Sequence, residues 1–179
     1  MAVGGGSLWV VDRLINAATR IDLARGKVAG SVEVGPDPLV CAFGSGALWV
    51  ANSDNGTVSV IRPGVPKAQT IAVGAKPFGI ASGEGAVWVG SSTDSTVTRI
   101  DPELGRVVKV IKTGVNDEGL YNIAAGAGGV WAADIYGDVV RIDPRTNKVV
   151  ARIRLGVEPR VIAIAGDDVW VSVAAPGAN

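Results

Sequence analysis

Five tryptophans, Trp9, Trp49, Trp88, Trp131 and Trp170, stand 40, 39, 43 and 39 residues apart, and they are all the tryptophans of the 179-residue chain. Their surroundings repeat with them. Gly46-Ala47-Leu48-Trp49-Val50-Ala51-Asn52 returns as Gly85-Ala86-Val87-Trp88-Val89-Gly90-Ser91 and as Gly128-Gly129-Val130-Trp131-Ala132-Ala133-Asp134. A fixed period near forty marks a repeat architecture. Within each period the apolar segments are short and rich in Val, Ile and Thr, and Gly, Asn, Asp and Pro separate them. That is the pattern of strands joined by turns, and no segment calls for a helix.

Each full repeat reads as four strands. In the second they fall at 39–43, 48–51, 57–61 and 69–73, with Asn55-Gly56 supplying the positive φ of a tight hairpin. Alignment on tryptophan sharpens the columns. Seven residues before each stands an alanine (Ala2, Ala42, Ala81, Ala124, Ala163), and eight before stand Met1, Cys41, Ile80, Ile123 and Ile162. Small and bulky residues thus alternate on the two faces of one strand, which suits sheets packed closely about an axis. Four-stranded units at this period predict an all-β chain folded as a β-propeller. The expected units are 1–35, 36–74, 75–114, 115–156 and a partial 157–179. About four and a half repeats predict an incomplete or open propeller, a piece of a longer one, with open blade edges through which copies self-associate.

Three segments carry a family resemblance: Ala47-Leu48-Trp49-Val50-Ala51-Asn52, Thr96-Val97-Thr98-Arg99-Ile100-Asp101-Pro102 and Val73-Gly74-Ala75-Lys76-Pro77-Phe78-Gly79-Ile80-Ala81. They resemble the YVTN-type repeats of bacterial propellers, and they are similar to the streptogramin-lyase-like group and, more distantly, to NHL propellers. The resemblance implies a binding or scaffolding module within a larger bacterial extracytoplasmic or sensory protein, secreted or periplasmic. Streptogramin lyases use a histidine general base beside magnesium. This chain has no histidine, so a metal-dependent lyase or hydrolase is the lesser expectation and no catalytic position carries over.

The lack of histidine also removes a Ser-His-Asp triad, a Cys-His pair with Cys41 and most zinc sites. Cys41 shares a column with isoleucines and reads as a small buried hydrophobe. Asp22, Asp101 and Asp143 recur at one turn, two of them before proline, and read as turn formers. The tryptophans read as one ring per blade between sheets rather than as a stacking platform. No apolar run approaches the roughly 18–20 residues of a membrane-spanning helix. Residues 1–6 lack the basic and apolar regions of a signal peptide.

Seventeen acidic and seventeen basic residues cancel, but not evenly. The loops after each second strand and before each inner strand share one face. There, Asp12, Asp37, Asp54, Asp94, Asp117, Glu118, Asp134, Asp138 and Glu158 stand against Arg13, Lys76 and Arg160. Such a rim repels a phosphate backbone, which argues against nucleic acid, and attracts a cation, an amine or a basic partner. The fourth repeat carries extra residues on this face, Asn116-Asp117-Glu118-Gly119-Leu120-Tyr121-Asn122, with Leu120 where other repeats have Pro38, Pro77 and Pro159. Its next loop adds Asp134, Tyr136 and Asp138. Asn116, Asp117, Glu118, Tyr121, Asn122, Asp134 and Tyr136 are therefore the candidate ligand site. No cofactor is expected. The oxygens suit calcium or magnesium, without the ordered spacing of an EF-hand.

Overall fold

The computed structural model describes residues 1–115 and 119–174. All regular structure among them is strand: β1 Ala2–Gly4, β2 Ser7–Asp12, β3 Ala17–Asp22, β4 Lys27–Glu33, β5 Pro38–Gly44, β6 Ala47–Asn52, β7 Thr57–Ile61, β8 Gln69–Ala72, β9 Pro77–Gly83, β10 Ala86–Ser91, β11 Thr96–Asp101, β12 Arg106–Lys112, β13 Asn122–Gly126, β14 Gly129–Ala133, β15 Asp138–Asp143, β16 Lys148–Arg154, β17 Pro159–Ala165 and β18 Asp168–Val173. They form four antiparallel sheets of four strands, each in simple up-and-down order, and one hairpin, β17–β18. Inner strands β1, β5, β9, β13 and β17 are neighbours in that sequence, so the sheets stack face to face as an open propeller arc.

Local chemistry makes each sheet. The first hairpin of the second blade turns on two residues, Ser45 (φ 49°) and Gly46 (φ 71°). Two positive φ values are the type I′ turn, whose twist matches that of the strands it joins. The outer turns work as expected: Oδ1 of Asp22, Asp101 and Asp143 each accepts two backbone N–H groups, from Ala24 and Arg25, Glu103 and Leu104, and Arg145 and Thr146.

The core lies between blades rather than within them. Four apolar clusters fill the four interfaces, and each is built by one rule. The tryptophan of one blade packs on the two residues flanking the tryptophan of the next: Trp9 with Leu48 and Val50, Trp49 with Val87 and Val89, Trp88 with Val130 and Ala132, Trp131 with Val169 and Val171. Trp49 and Trp88 are wholly buried. The expectation of five equivalent rings needs correction at the end of the arc. Trp131 is only partly buried and Trp170 is 64% exposed, since among the described residues no sheet covers the outward face of β17–β18. Cys41 is half-buried rather than buried, at the edge of the first interface, and this burial pushes its thiol pKa up.

A second column, at the glycine five residues before each of the first four tryptophans, sets how closely blades approach. A Cβ at Gly4 would lie 1.9 Å from the Phe43 ring, at Gly44 2.1 Å from Ser82 Oγ, and at Gly83 2.5 Å from the Ala125 carbonyl oxygen. Each is a contact with the next inner strand closer than a real Cβ makes, so a side chain there would force the neighbour to move. The same glycines accept the indole N–H of their own blade: Trp49 to Gly44 (3.0 Å), Trp88 to Gly83 (3.0 Å) and Trp131 to Gly126 (3.3 Å). Trp9 makes no such bond, and its buried Nε1 is left without a partner.

Candidate functional site

Strand pairing brings the described part of the candidate site together. Asn122 stands opposite Ala133 in the β13–β14 ladder, so Tyr121 and Asp134 are neighbours at the same end of the fourth blade. The Tyr121 N–H donates to the Ala133 carbonyl (3.0 Å). Asn116, Asp117 and Glu118 lie outside the described residues. Tyr121 directly precedes β13, and its ring meets Phe78 edge-on at 4.9 Å. Asn122 finds the partner its position demands, donating through Nδ2 to the Arg160 carbonyl of the next blade. Tyr136 is half exposed at the loop tip.

Asp134 is the unusual group. It is 1% exposed. Its Oδ1 accepts the N–H groups of Tyr136 and Asp138, each at 2.9 Å, and so shapes the β14–β15 loop. Its Oδ2 is buried without a partner. Burial pushes its carboxyl above the usual aspartate range. In the third blade the equivalent slot works the same way, Ser91 Oγ taking the N–H of Thr93 and of Asp94; in the second, Asn52 instead donates through Nδ2 to the Thr57 and Ser59 hydroxyls. Three of the four described candidates thus serve the loop's own architecture, by capping, ring packing or a bond between blades.

The acidic rim is less one-sided than its loops predict. Arg13 pairs with Asp37, and Arg160 with Glu158 at 3.1 Å. Asp138 is held by Arg152 (3.3 Å) and Arg154 (3.4 Å). These two arginines come from β16, whose last residue pairs with the first of β15 and so arrives at the same rim. Loop counting misses them because they sit in a strand. Pairing each loop with the end of its fourth strand would have found them. Asp54 and Asp94 remain exposed beyond these pairs. Burial raises the Asp94 pKa, but hydrogen bonds from Ser91 and Thr96 outweigh it and hold the carboxyl below its usual range.

Two depressions lie on this rim. One, of about 570 Å³, is lined by Val10, Asp12, Arg13, Leu14 and Asp37; the other, of about 530 Å³, by Asp54, Asn55, Gly56, Ala75 and Lys76. Both are shallow and open. Among the described residues no three Asp, Glu or Cys side chains are grouped to hold a metal ion.

Leu120, which replaces the entry proline, is fully buried between the third and fourth blades. Its N–H donates to the Ser91 carbonyl at 2.7 Å. Gly119 beside it, at φ +84°, lies so close that a Cβ would come within 2.0 Å of the Ser92 carbonyl carbon.

With this architecture on the page, comparison with solved structures is decisive for the fold. The chain superposes on a chain of Kuenenia stuttgartiensis hydrazine synthase with a TM-score of 0.78 at 23% identity, over 89% of this chain and 49% of that one. It superposes on the structure of U3-55K with a TM-score of 0.82 at 13% identity, over 97% and 59%. The dihydro-heme d1 dehydrogenase NirN matches with a TM-score of 0.73 at 14% identity, over 94% and 39%. The fold is a β-propeller. At these identities the likeness speaks for the fold alone, and the chain spans about half the length of the solved chains it matches. No family model matches the sequence, and no curated relative matches it.

Proposed function

We propose that this propeller is a non-catalytic binding module whose acidic loop rim receives a basic segment of a protein partner. The observation that supports this reading most is the pair Asp54 and Asp94. Both are exposed, neither is engaged by a neighbouring cation, and the hydrogen bonds at Asp94 favour its charged form. The shallow open depression beside Asp54 suits an extended chain rather than an enclosed small molecule, which needs a concave, mostly apolar pocket. The setting, a larger bacterial extracytoplasmic or sensory protein, rests on the repeat resemblance.

Fluorescence anisotropy with a labelled oligolysine peptide tests the reading, with an oligoglutamate peptide as control. The lysine peptide binds, binding weakens as salt screens the rim, and the double variant Asp54→Lys/Asp94→Lys loses affinity several-fold. Equal binding by variant and wild type rejects it.

A second reading, a divalent cation at the mouth of the fourth blade, has one observation in its favour: the unpartnered Oδ2 of Asp134. Carboxylate oxygen is the ligand that calcium and magnesium take. Millimolar calcium or magnesium would then raise the unfolding temperature, since a ligand of the native state alone stabilises it. No rise removes this reading and with it any metal-dependent lyase or hydrolase chemistry.

A further inference from the structure

Three arginines lie over tryptophans: Arg62 on Trp49, Arg99 on Trp88 and Arg141 on Trp131. Two of them bridge to the next sheet, where Arg62 donates to the Pro102 carbonyl and Arg99 to the Pro144 carbonyl of the outer turn. The first blade breaks this series. Arg20 pairs directly opposite Trp9, as Arg99 does opposite Trp88. Yet among the described residues Arg20 neither stacks on its ring nor donates to the second blade, and it stands exposed. A cavity of about 150 Å³ lies there instead, lined by Trp9, Arg20, Gly30, Ser31, Arg62 and Pro63. It sits between two four-stranded sheets, β1–β4 and β5–β8.

The chemistry of this cavity is one-sided. Two arginines line it and no aspartate or glutamate does. Among the described residues neither arginine is ion-paired. The Arg62 donors go to Gln69 Oε1 (2.9 Å) and the Pro102 carbonyl, both neutral. Two guanidinium charges therefore border one small space without a counter-charge. The same wall holds a donor in need of an acceptor. Trp9 is 8% exposed, and its indole N–H, which in the next three blades goes to a glycine carbonyl, has no partner. Buried N–H groups are rarely left unpaired, so an orphan marks a place for an acceptor. We infer that this cavity binds a small oxyanion, a carboxylate or phosphate group, with Arg20 as its main donor. Arg62 adds charge and the Trp9 indole adds the buried N–H. The guanidinium fork matches either oxyanion, giving two parallel hydrogen bonds. A foreign cation seated where the Arg99 guanidinium sits in its own interface would instead meet two like charges. The acidic rim does not oppose the anion, because the Pro63 turn follows β7 and the rim loops precede it, at the other end of the strand.

Proton–nitrogen correlation spectra of the whole chain test this, with sodium phosphate and sodium acetate as probes and sodium chloride at matched ionic strength as control. The Trp9 indole peak and the Arg20 Nε–H peak shift together and saturably with at least one probe, while the Trp88 indole peak stays in place. Tighter binding of phosphate assigns the site to phosphate groups, and tighter binding of acetate assigns it to carboxylates. Arg20→Gln, at an exposed position, keeps the strand fold by circular dichroism. It raises the half-saturating concentration about tenfold or more, the size expected for one charge-assisted hydrogen bond. Trp9 and Arg20 peaks that do not move with either probe overturn the inference, and a cavity filled by water alone gives that result. Equal shifts with chloride, or shifts that persist unchanged in Arg20→Gln, overturn it as well.

Discussion

The guanidinium of Arg99 lies 5.1 Å from the ring centroid of Trp88 and reaches the next blade, where its Nη1 donates to the Pro144 carbonyl (3.0 Å) and to Asn147 Oδ1 (2.9 Å). One side chain therefore covers the ring that anchors its own sheet and grips the outer turn of the following sheet. Arg62 repeats the device over Trp49 at 5.9 Å, donating to the Pro102 carbonyl at 3.0 Å. Arg141 stacks on Trp131 at 5.4 Å.

Replacing Arg99 with alanine removes the cation–π contact and both forward hydrogen bonds. A half-exposed cation–π pair and a net hydrogen bond each contribute on the order of 1 kcal/mol, so losing one of the first and two of the second is expected to cost about 2–3 kcal/mol by urea denaturation. Arg99→Lys recovers little of it, because lysine lacks the planar fork. Full recovery by lysine would show that charge alone matters there.

Trp88 and Trp170 occupy the same slot in different surroundings. Trp88→Ala should cost about 3–5 kcal/mol, the usual range for a buried tryptophan. Trp170→Ala should change the stability of the monomer by less than about 0.5 kcal/mol, as exposed positions do. Similar costs at both would mean that the terminal face is covered.

Asp134 makes a pH-dependent contribution whose sign follows from its raised folded-state pKa. The neutral carboxyl is favoured in the folded state, so stability is highest below the unfolded value of about 4 and declines as pH rises through the folded value. Asp94 and Asp143, both lowered, act oppositely, their contributions fading as pH falls. The difference between wild type and Asp134→Asn isolates the first effect. The asparagine offers an amide oxygen where Asp134 Oδ1 accepts the Tyr136 and Asp138 N–H groups, and its stability relative to wild type should grow as pH rises from about 4 toward 7. A flat difference curve would contradict the burial argument.

Gly119→Ala and Gly114→Ala separate space from backbone conformation. Both glycines have positive φ, but a Cβ at Gly114 meets nothing within 4 Å among the described residues, whereas at Gly119 it strikes the Ser92 backbone. Gly114→Ala should cost only the left-handed strain of about 1–2 kcal/mol. Gly119→Ala should cost distinctly more and release Leu120 from its slot. Equal melting temperatures would refute the close contact.

The blades were legible because the tryptophans and the Asp turns repeat at fixed offsets, and each has one physical job. The glycine column five residues before tryptophan was equally readable, and its meaning came only with the neighbouring strand in view. Arg62 was hidden. In the other full blades an arginine stands directly opposite the tryptophan (Arg20, Arg99, Arg141), but opposite Trp49 stands Val60. The guanidinium comes instead from two residues further on, an offset that periodicity does not reveal. At the candidate site the sequence identified polar residues correctly and their work incompletely. Asp134 reads as a surface ligand until its turn closes over it, and the partners of Asp138 come from a strand that loop counting passes over.

The glycine seam near the axis has a geometric consequence. With backbone meeting side chain there and indole filling the space further out, each sheet is a wedge, thin at one edge and thick at the other. The taper fixes the angle between successive blades and so the radius of curvature. A methyl added at Gly44 and Gly83 together would blunt two wedges and flatten the arc without touching a single tryptophan. The number of blades a full circle would need is thus written in the smallest residues of the repeat rather than in its largest.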